Sequence, residues 1–326
     1  LGADTGSSFL FSIDILNAPN PPDKSPVTEF STSGGFASRL ARLGCSVGFT
    51  SYQSNLLYLV GRNGHGGLQI HQAQLAKPMG IGFRPPDKLA VSGGQQIFRF
   101  HNVLSPDQRA NGIYDACFVP RVVHFTGRLD AHDIGLDTLD APVFVNTRFN
   151  CLAATDHRDS FKVLWHPPFI SGIVDEDRCH LNGLAMRDGC PAFACAISRS
   201  DTIDGWRDRR ADGGVVIDIE TGAVVCEGLS MPHSPRLHKD TLWLLNSGTG
   251  ELGRVVLPRG GGKGRFEPVA FCPGFVRGLS FLGDHAFVGL SKPRYKRFEG
   301  LALDDRLAAT DSEPWCGVQV IDIKTG

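Results

Sequence analysis

Gly214-Val-Val-Ile-Asp-Ile-Glu-Thr-Gly222 and Gly317-Val-Gln-Val-Ile-Asp-Ile-Lys-Thr-Gly326 are one phrase written twice, differing mainly by one inserted residue. Each is a short run rich in β-branched residues that ends in a Thr-Gly turn, the pattern of a β-strand. A second pair, Val143-Phe-Val-Asn-Thr147 and Trp243-Leu-Leu-Asn-Ser247, repeats in the same way. Four short strands in roughly 45–50 residues are the signature of a β-propeller blade.

Working outward from these anchors gives six units. The first reads as Ser46–Tyr52, Leu56–Val60 and Leu68–His71. The second runs from Met79 to Phe125, where Pro120 predicts an edge strand because it cannot donate to a ladder. The third starts at His132, the fourth at Asn182, the fifth at His233 and the sixth at Arg277. The last unit stops after three strands, at Lys324-Thr-Gly326. The alternating run around Phe9–Ile15 is expected to supply the fourth strand and close the ring, since an open edge invites aggregation. Phe36, Leu40 and Leu43 have helical spacing, with Gly44 as a stop. The expectation is an all-β, six-bladed β-propeller over 46–326, preceded by an N-terminal segment, 1–45, that carries the closing strand and a short helix.

Composition narrows the function classes. The chain has 326 residues, 41% hydrophobic and 21% charged, with 39 Gly and 20 Pro. That Gly and Pro content suits many turns between short strands. A formal net charge of −1 supplies no field for nucleic acid or an anionic membrane. No apolar run reaches the roughly 18–20 residues that span a bilayer. Nine Cys lie scattered without a Cys-x-x-Cys pair, mostly in apolar strand patterns. Together with a start, Leu-Gly-Ala-Asp, that shows no leader pattern, this reads as a reduced, cytoplasmic protein.

The starts of the units carry the chemistry. Met79-Gly-Ile-Gly-Phe83, His132-Asp-Ile-Gly-Leu136, His180-Leu-Asn-Gly-Leu-Ala-Met186, Met231-Pro-His-Ser-Pro-Arg-Leu237 and Arg277-Gly-Leu-Ser-Phe281 align on their apolar residues. The alignment puts Met79, His132, Asn182, His233 and Arg277 in one column. The first strand of a blade lines the central channel, so this column should converge near the axis. His132, His180 and His233 are candidates for acid–base catalysis or for a divalent transition metal, His180 being placed two residues before Asn182 on one strand face. The plainer reading is a polar, water-filled channel. Arg277, Arg236 and Arg148 are candidates to hold an anion, because the guanidinium fork matches a carboxylate. The plainer reading for them is an ion pair with Asp133, Asp175 or Glu251. Asn146 and Asn246 end equivalent second strands, where they could reach a ligand or cap the turn that follows.

Several phrases resemble a known family. They are Phe118-Val-Pro-Arg121, Phe125-Thr-Gly-Arg-Leu-Asp-Ala-His-Asp133, Val145-Asn-Thr-Arg-Phe149, His166-Pro-Pro-Phe-Ile170, the stretch His180–Gly189, Ser230–Arg236, Leu245–Gly253 and Gly289-Leu-Ser-Lys-Pro293. From about Gly34 to Gly326 the chain resembles an uncharacterised bacterial family of conserved hypothetical proteins, catalogued as a domain of unknown function. The resemblance implies a propeller and brings no activity with it.

The expected function is an enzyme acting on a small anionic substrate or sugar acid. Lyase, epimerase and hydrolase chemistry all fit a channel lined by His132, His180, His233 and Arg277 as catalytic residues. Asn182, Arg148, Arg236, Asn146 and Asn246 would bind substrate there, with or without a metal held by the three histidines. The alternative is a non-catalytic propeller that binds a protein or glycan partner, which would show an exposed apolar patch on its rim.

Overall fold

The computed structural model describes residues 29–293 and 298–326. The chain divides into two units, Leu1–Phe36 and Ala37–Gly326. In the first, residues 29–33 run without regular structure into a turn at 34–35. The closing strand expected near Phe9–Ile15 lies outside the described residues.

The second unit is a six-bladed β-propeller entered through α1 (Phe36–Leu43). Blade 1 holds β1 (Val47–Ser51), β2 (Leu56–Arg62) and β3 (Leu68–Gln74). Blade 2 holds β4 (Pro78–Arg84), β5 (Lys88–Gly93), β6 (Gln96–Asn102) and β7 (Phe118–Phe125). Blade 3 holds β8 (Ala131–Leu136), β9 (Pro142–Asn146), β10 (Cys151–Ala154) and β11 (Lys162–Trp165). Blade 4 holds β12 (Leu181–Arg187), β13 (Cys190–Ala196), β14 (Gly214–Asp218) and β15 (Val224–Leu229). Blade 5 holds β16 (Pro232–His238), β17 (Thr241–Asn246), β18 (Glu251–Val256) and β19 (Arg265–Phe271). Blade 6 holds β20 (Phe275–Leu282), β21 (His285–Ser291) and β22 (Gly317–Asp322). A helix, α2 (Leu303–Ala309), interrupts blade 6 between its second and third strands, and the repeat pattern gave no sign of it. Pro120 sits in β7, the outermost strand of its blade, beside a break in register at Arg99/Phe100.

Strands are antiparallel within each blade and step outward in order, so β1, β4, β8, β12, β16 and β20 are innermost. The apolar cores lie between blades rather than within them. Val143, Leu152, Leu181, Leu184 and Ile217 join blades 3 and 4. Phe193, Cys226, Leu244 and Val255 join blades 4 and 5, and Leu252, Val276, Leu279 and Val288 join blades 5 and 6. Alternation explains this: a strand in a blade faces a neighbouring blade on both sides, so both of its faces are apolar.

Near the axis the blades approach closely. A Cβ built on Gly135 would stand 2.5 Å from Met186 Cγ, and one on Gly183 would stand 2.4 Å from Pro235 Cδ and 2.6 Å from Cys195 Sγ. The glycines of the repeated opening phrase are thus contact points between successive inner strands. Polar latches accompany them. The hydroxyl of Ser92 donates to Ala131 O (2.7 Å), that of Thr147 to Leu181 O (2.6 Å) and that of Ser247 to Val276 O (2.6 Å). Cys195 Sγ also comes within 3.5 Å of Pro232 O, although its one S–H is directed at the nearer Asn182 Oδ1, at 3.0 Å. Each latch joins a blade to the inner strand of the next.

One ion pair reaches further. Asp133 of β8 receives both terminal nitrogens of Arg236 of β16, at 2.7 and 2.8 Å. Its carboxylate also accepts the backbone N–H groups of Ile134 and Leu184, each at 3.0 Å. Arg236 donates in turn to Leu184 O (2.8 Å) and Leu279 O (3.0 Å). One side chain therefore ties blades 3, 4, 5 and 6.

Two stability outcomes follow. Asp133→Ala strands a partly buried guanidinium, and urea unfolding should show a loss of about 3–5 kcal/mol, the usual cost of breaking such a pair. Gly183→Ala should lower the midpoint by a comparable amount, because Pro235 and Cys195 would have to move. An unchanged midpoint in either variant would contradict this account of the channel wall.

Candidate functional site

Connections between first and second strands are tight, as at 188–189, 239–240 and 283–284, and 103–117 of blade 2 emerges at the end of these tight turns. Segments 166–180, 197–213 and 292–316 emerge at the other end, where the inner strands begin. Ile197, Trp206, Met231, Phe275, Phe298, Leu303 and Leu307 pack together there as a separate apolar cluster.

The column residues open at this end. His132 is the second residue of β8, Asn182 of β12 and His233 of β16, with Met79 in β4 and Arg277 in β20. In each of these five strands the ladder breaks register at or just after the column residue. The residue two places before the column is left-handed in four blades: Lys77 (φ 45°), Asp130 (φ 49°), His180 (φ 52°) and Met231 (φ 50°). A non-glycine residue in that region is strained, and such strain is common where geometry serves a site. The strain has a visible result. The turned carbonyls of Asp130 and Met231 accept from Nδ1 of His132 (2.7 Å) and His233 (2.8 Å).

These contacts fix the tautomers. Thr147 Oγ1 lies 2.8 Å from His132 Nδ1, and Ser247 Oγ lies 3.0 Å from His233 Nδ1. Each hydroxyl has already given its proton to a carbonyl of the next blade, so it can only accept from the imidazole. Nδ1 carries the hydrogen in both rings and Nε2 is the basic nitrogen. Asn182, only 1% exposed, places Nδ2 3.3 Å from His233 Nε2, while its Oδ1 accepts from Cys195 Sγ at 3.0 Å. Burial pushes the pKa of His233 well below its usual range, and the charges of Arg277, His132 and His180 push it further. Asn182 and His233 are thus in direct contact, and Arg277, His132 and His180 lie near enough for their charges to act on His233.

His180 differs from the reading made on spacing. It precedes β12 in the left-handed turn and does not share a strand face with Asn182. There it takes the place that Asp130 and Met231 hold in neighbouring blades. Asp177 accepts from His180 Nδ1 at 2.6 Å and from its backbone N–H at 3.0 Å. The ring of His180 stacks on Trp206 (4.2 Å between centroids, 30°) and meets His132 edge-on at 4.9 Å. His233 meets Phe275 edge-on at 5.5 Å, and the Arg277 guanidinium lies over the same Phe275 ring at 5.1 Å.

Other sequence candidates are engaged elsewhere. Arg236 is held by Asp133, and Arg148 pairs with Asp175 at 2.5 Å, which raises the pKa of the arginine. Asn146 accepts from Phe149 N (3.3 Å) and caps its own turn, whereas Asn246 accepts from Ser230 N (2.8 Å) in the link before β16. Among the described residues no group of three His, Cys, Asp or Glu side chains is arranged to hold a metal ion. The histidines instead present hydrogen-bonded Nδ1 atoms to carbonyls and a carboxylate. Spacing alone gave no role to Asp177, Trp206, Cys195 or Phe275. Asp177 lies three residues before His180, and that proximity was the one signal that could have found it.

The likeness to solved structures is one of fold. A protein of Thermus thermophilus described as an oxidoreductase (glucose dehydrogenase) is 13% identical, with a TM-score of 0.51, over 79% of this chain and 91% of that one. Regucalcin from Agrobacterium tumefaciens, a calcium-binding protein, is 13% identical with a TM-score of 0.42, over 84% and 89%. An inactive virginiamycin B lyase from Staphylococcus aureus, solved with quinupristin, is 15% identical with a TM-score of 0.41, over 75% and 73%. A search of curated proteins finds no match. No helix among the described residues is long and apolar enough to cross a membrane. Residues 34–326 match the model of a domain of unknown function, DUF4915, and the chain belongs to that family.

Proposed function

We propose that this propeller is an acid–base enzyme acting on a small carboxylate of the sugar-acid kind at the mouth of its channel. The observation that carries the reading is the Asp177–His180 pair, with the His132 ring 4.9 Å away; Arg277 lies over Phe275, the ring that His233 meets edge-on. Asp177 accepts from Nδ1 and so orients the imidazole, which leaves Nε2 to take a proton. The C–H bond next to the substrate carboxylate would break toward His180 Nε2. Its electron pair would pass into the carboxylate as an enediolate, held by the guanidinium of Arg277. His132, in its protonated form, would then give a proton from Nε2. Delivered to the opposite face of the carbon, that proton completes an epimerisation. Delivered to a leaving oxygen on the next carbon, it completes an elimination.

A second reading has one observation of its own. Val122, Val123 and Phe125 on the outermost strand of blade 2 are 38, 47 and 70% exposed, a rim that suits a protein or glycan partner.

One experiment separates the two. The chain is incubated in D2O with a panel of uronates, aldonates and 2-hydroxy acids, and loss of the α-proton is followed by NMR. At least one acid should exchange or turn over. His180→Ala should slow it by about 10²–10⁴-fold, the range for a lost acid–base group. Arg277→Ala should raise KM as well as lower kcat. A folded wild-type chain that leaves every acid untouched, or an unimpaired His180→Ala variant, would overturn the proposal and leave the rim reading.

A further inference from the structure

Cys195, Asn182 and His233 are joined by hydrogen bonds whose directions can be assigned atom by atom. At one end, His233 Nδ1 faces Met231 O at 2.8 Å and Ser247 Oγ at 3.0 Å. The Ser247 proton is committed to Val276 O at 2.6 Å, so both neighbours of Nδ1 are acceptors and Nδ1 must donate. At the other end, His233 Nε2 faces Asn182 Nδ2 at 3.3 Å. An amide nitrogen can only donate, so Nε2 must hold a lone pair. The amide orientation that demands this is set from behind, because Cys195 Sγ points at Asn182 Oδ1 at 3.0 Å. The reversed amide would turn an oxygen toward Nε2 and call for a second N–H, an imidazolium buried to 3% exposure beside Arg277. Such a charge would lie in a low-dielectric wall next to a like charge, the arrangement that burial disfavours most.

We propose that Cys195 and Asn182 are positioning residues that lock His233 in its uncharged Nδ1–H form. His233 is then not an acid or base of the site, despite standing in the same column as His132. Its task is to accept from Asn182 and so hold the amide still. Proton transfer falls to His180 and His132, and the positive charge that meets an anion is that of Arg277. This division of labour rests on the acid–base reading above, whereas the protonation state of His233 does not.

Cys195 suits the role. Its thiol is buried, and burial pushes its pKa well above the usual range, so it stays a neutral S–H donor rather than a nucleophile. Ser is the conservative replacement because it keeps one donor at nearly the same place, whereas Ala removes it.

The test uses the full chain labelled with 15N-histidine, with His233→Gln to assign the resonance. Long-range 1H–15N spectra are recorded from pH 8 down to pH 5. The wild type should show His233 as a single Nδ1–H tautomer that takes up no proton across the range. Asn182→Ala should shift its Nε2 resonance and let Nε2 take up a proton within that range, while Nδ1–H stays held by Met231 O and Ser247. Cys195→Ala should move the same resonance, and Cys195→Ser should restore it, a rescue that keeps the test open if Asn182→Ala does not fold. An imidazolium in the wild type at pH 7 would overturn the proposal. So would Nε2 shifts that are the same in wild type, Cys195→Ala and Cys195→Ser. These outcomes stand whether or not a turned-over acid is found, so failure of this inference and failure of the catalytic reading are separate results.

Discussion

The channel of this propeller depends on one guanidinium. Six inner strands splay around an axis, and nothing in a β-ladder joins a strand to one two blades away. Arg236 makes that join. It starts in blade 5, meets a carboxylate of blade 3, and touches carbonyls of blades 4 and 6. The bidentate geometry also sets an angle, since a planar fork meets a planar carboxylate in one way. Lysine could supply the charge but not the alignment. The site depends on the same clasp at one remove. Asp133 follows His132 directly in β8, so the residue that anchors the clasp also fixes the backbone from which His132 rises.

Glycine and left-handed turns complete the constraint. The inner strands approach until Gly135 and Gly183 have no room for a methyl group. Strands that close together cannot also carry side chains regularly inward, and each ladder breaks at the column position. The left-handed residue just upstream turns a carbonyl back toward the column, where it receives Nδ1–H from a histidine. The strain at Asp130 and Met231 is therefore coupled to the tautomer of His132 and His233.

The blade count and strand order were legible because they are periodic. Two copies of a Gly-Val…Asp-Ile…Thr-Gly phrase, and polar residues recurring at about fifty-residue intervals, are properties of a line of text. The column of Asn182, His233, His132 and Arg277 was legible for the same reason. What was not legible depends on φ angles and on loops. Spacing by two put His180 on a strand face with Asn182, but that rule holds only inside a strand, and a left-handed turn intervenes. Arg236 and Arg148 were ambiguous in sequence, since an arginine that binds an anionic ligand and one that binds an aspartate look the same. Only the positions of Asp133 and Asp175 decide what each guanidinium touches. Asp177 and Trp206 come from segments outside the repeat, where no period reports on them, and α2 was missed for the same reason.

The charges of the site can be arranged in few ways. His132 and His180 stand 4.9 Å apart between ring centroids, and Asp177 accepts from Nδ1 of His180. Acid–base chemistry on a single carbon needs such a pair, because one ring must arrive empty and the other loaded. His233 could not join them without adding a third positive charge next to Arg277. Its two nitrogens are spent instead on a carbonyl, a hydroxyl and an amide, all neutral. The site thus uses the same residue type for two different purposes. What separates them is the company each ring keeps: neutral groups on both nitrogens of His233, and a carboxylate on Nδ1 of His180.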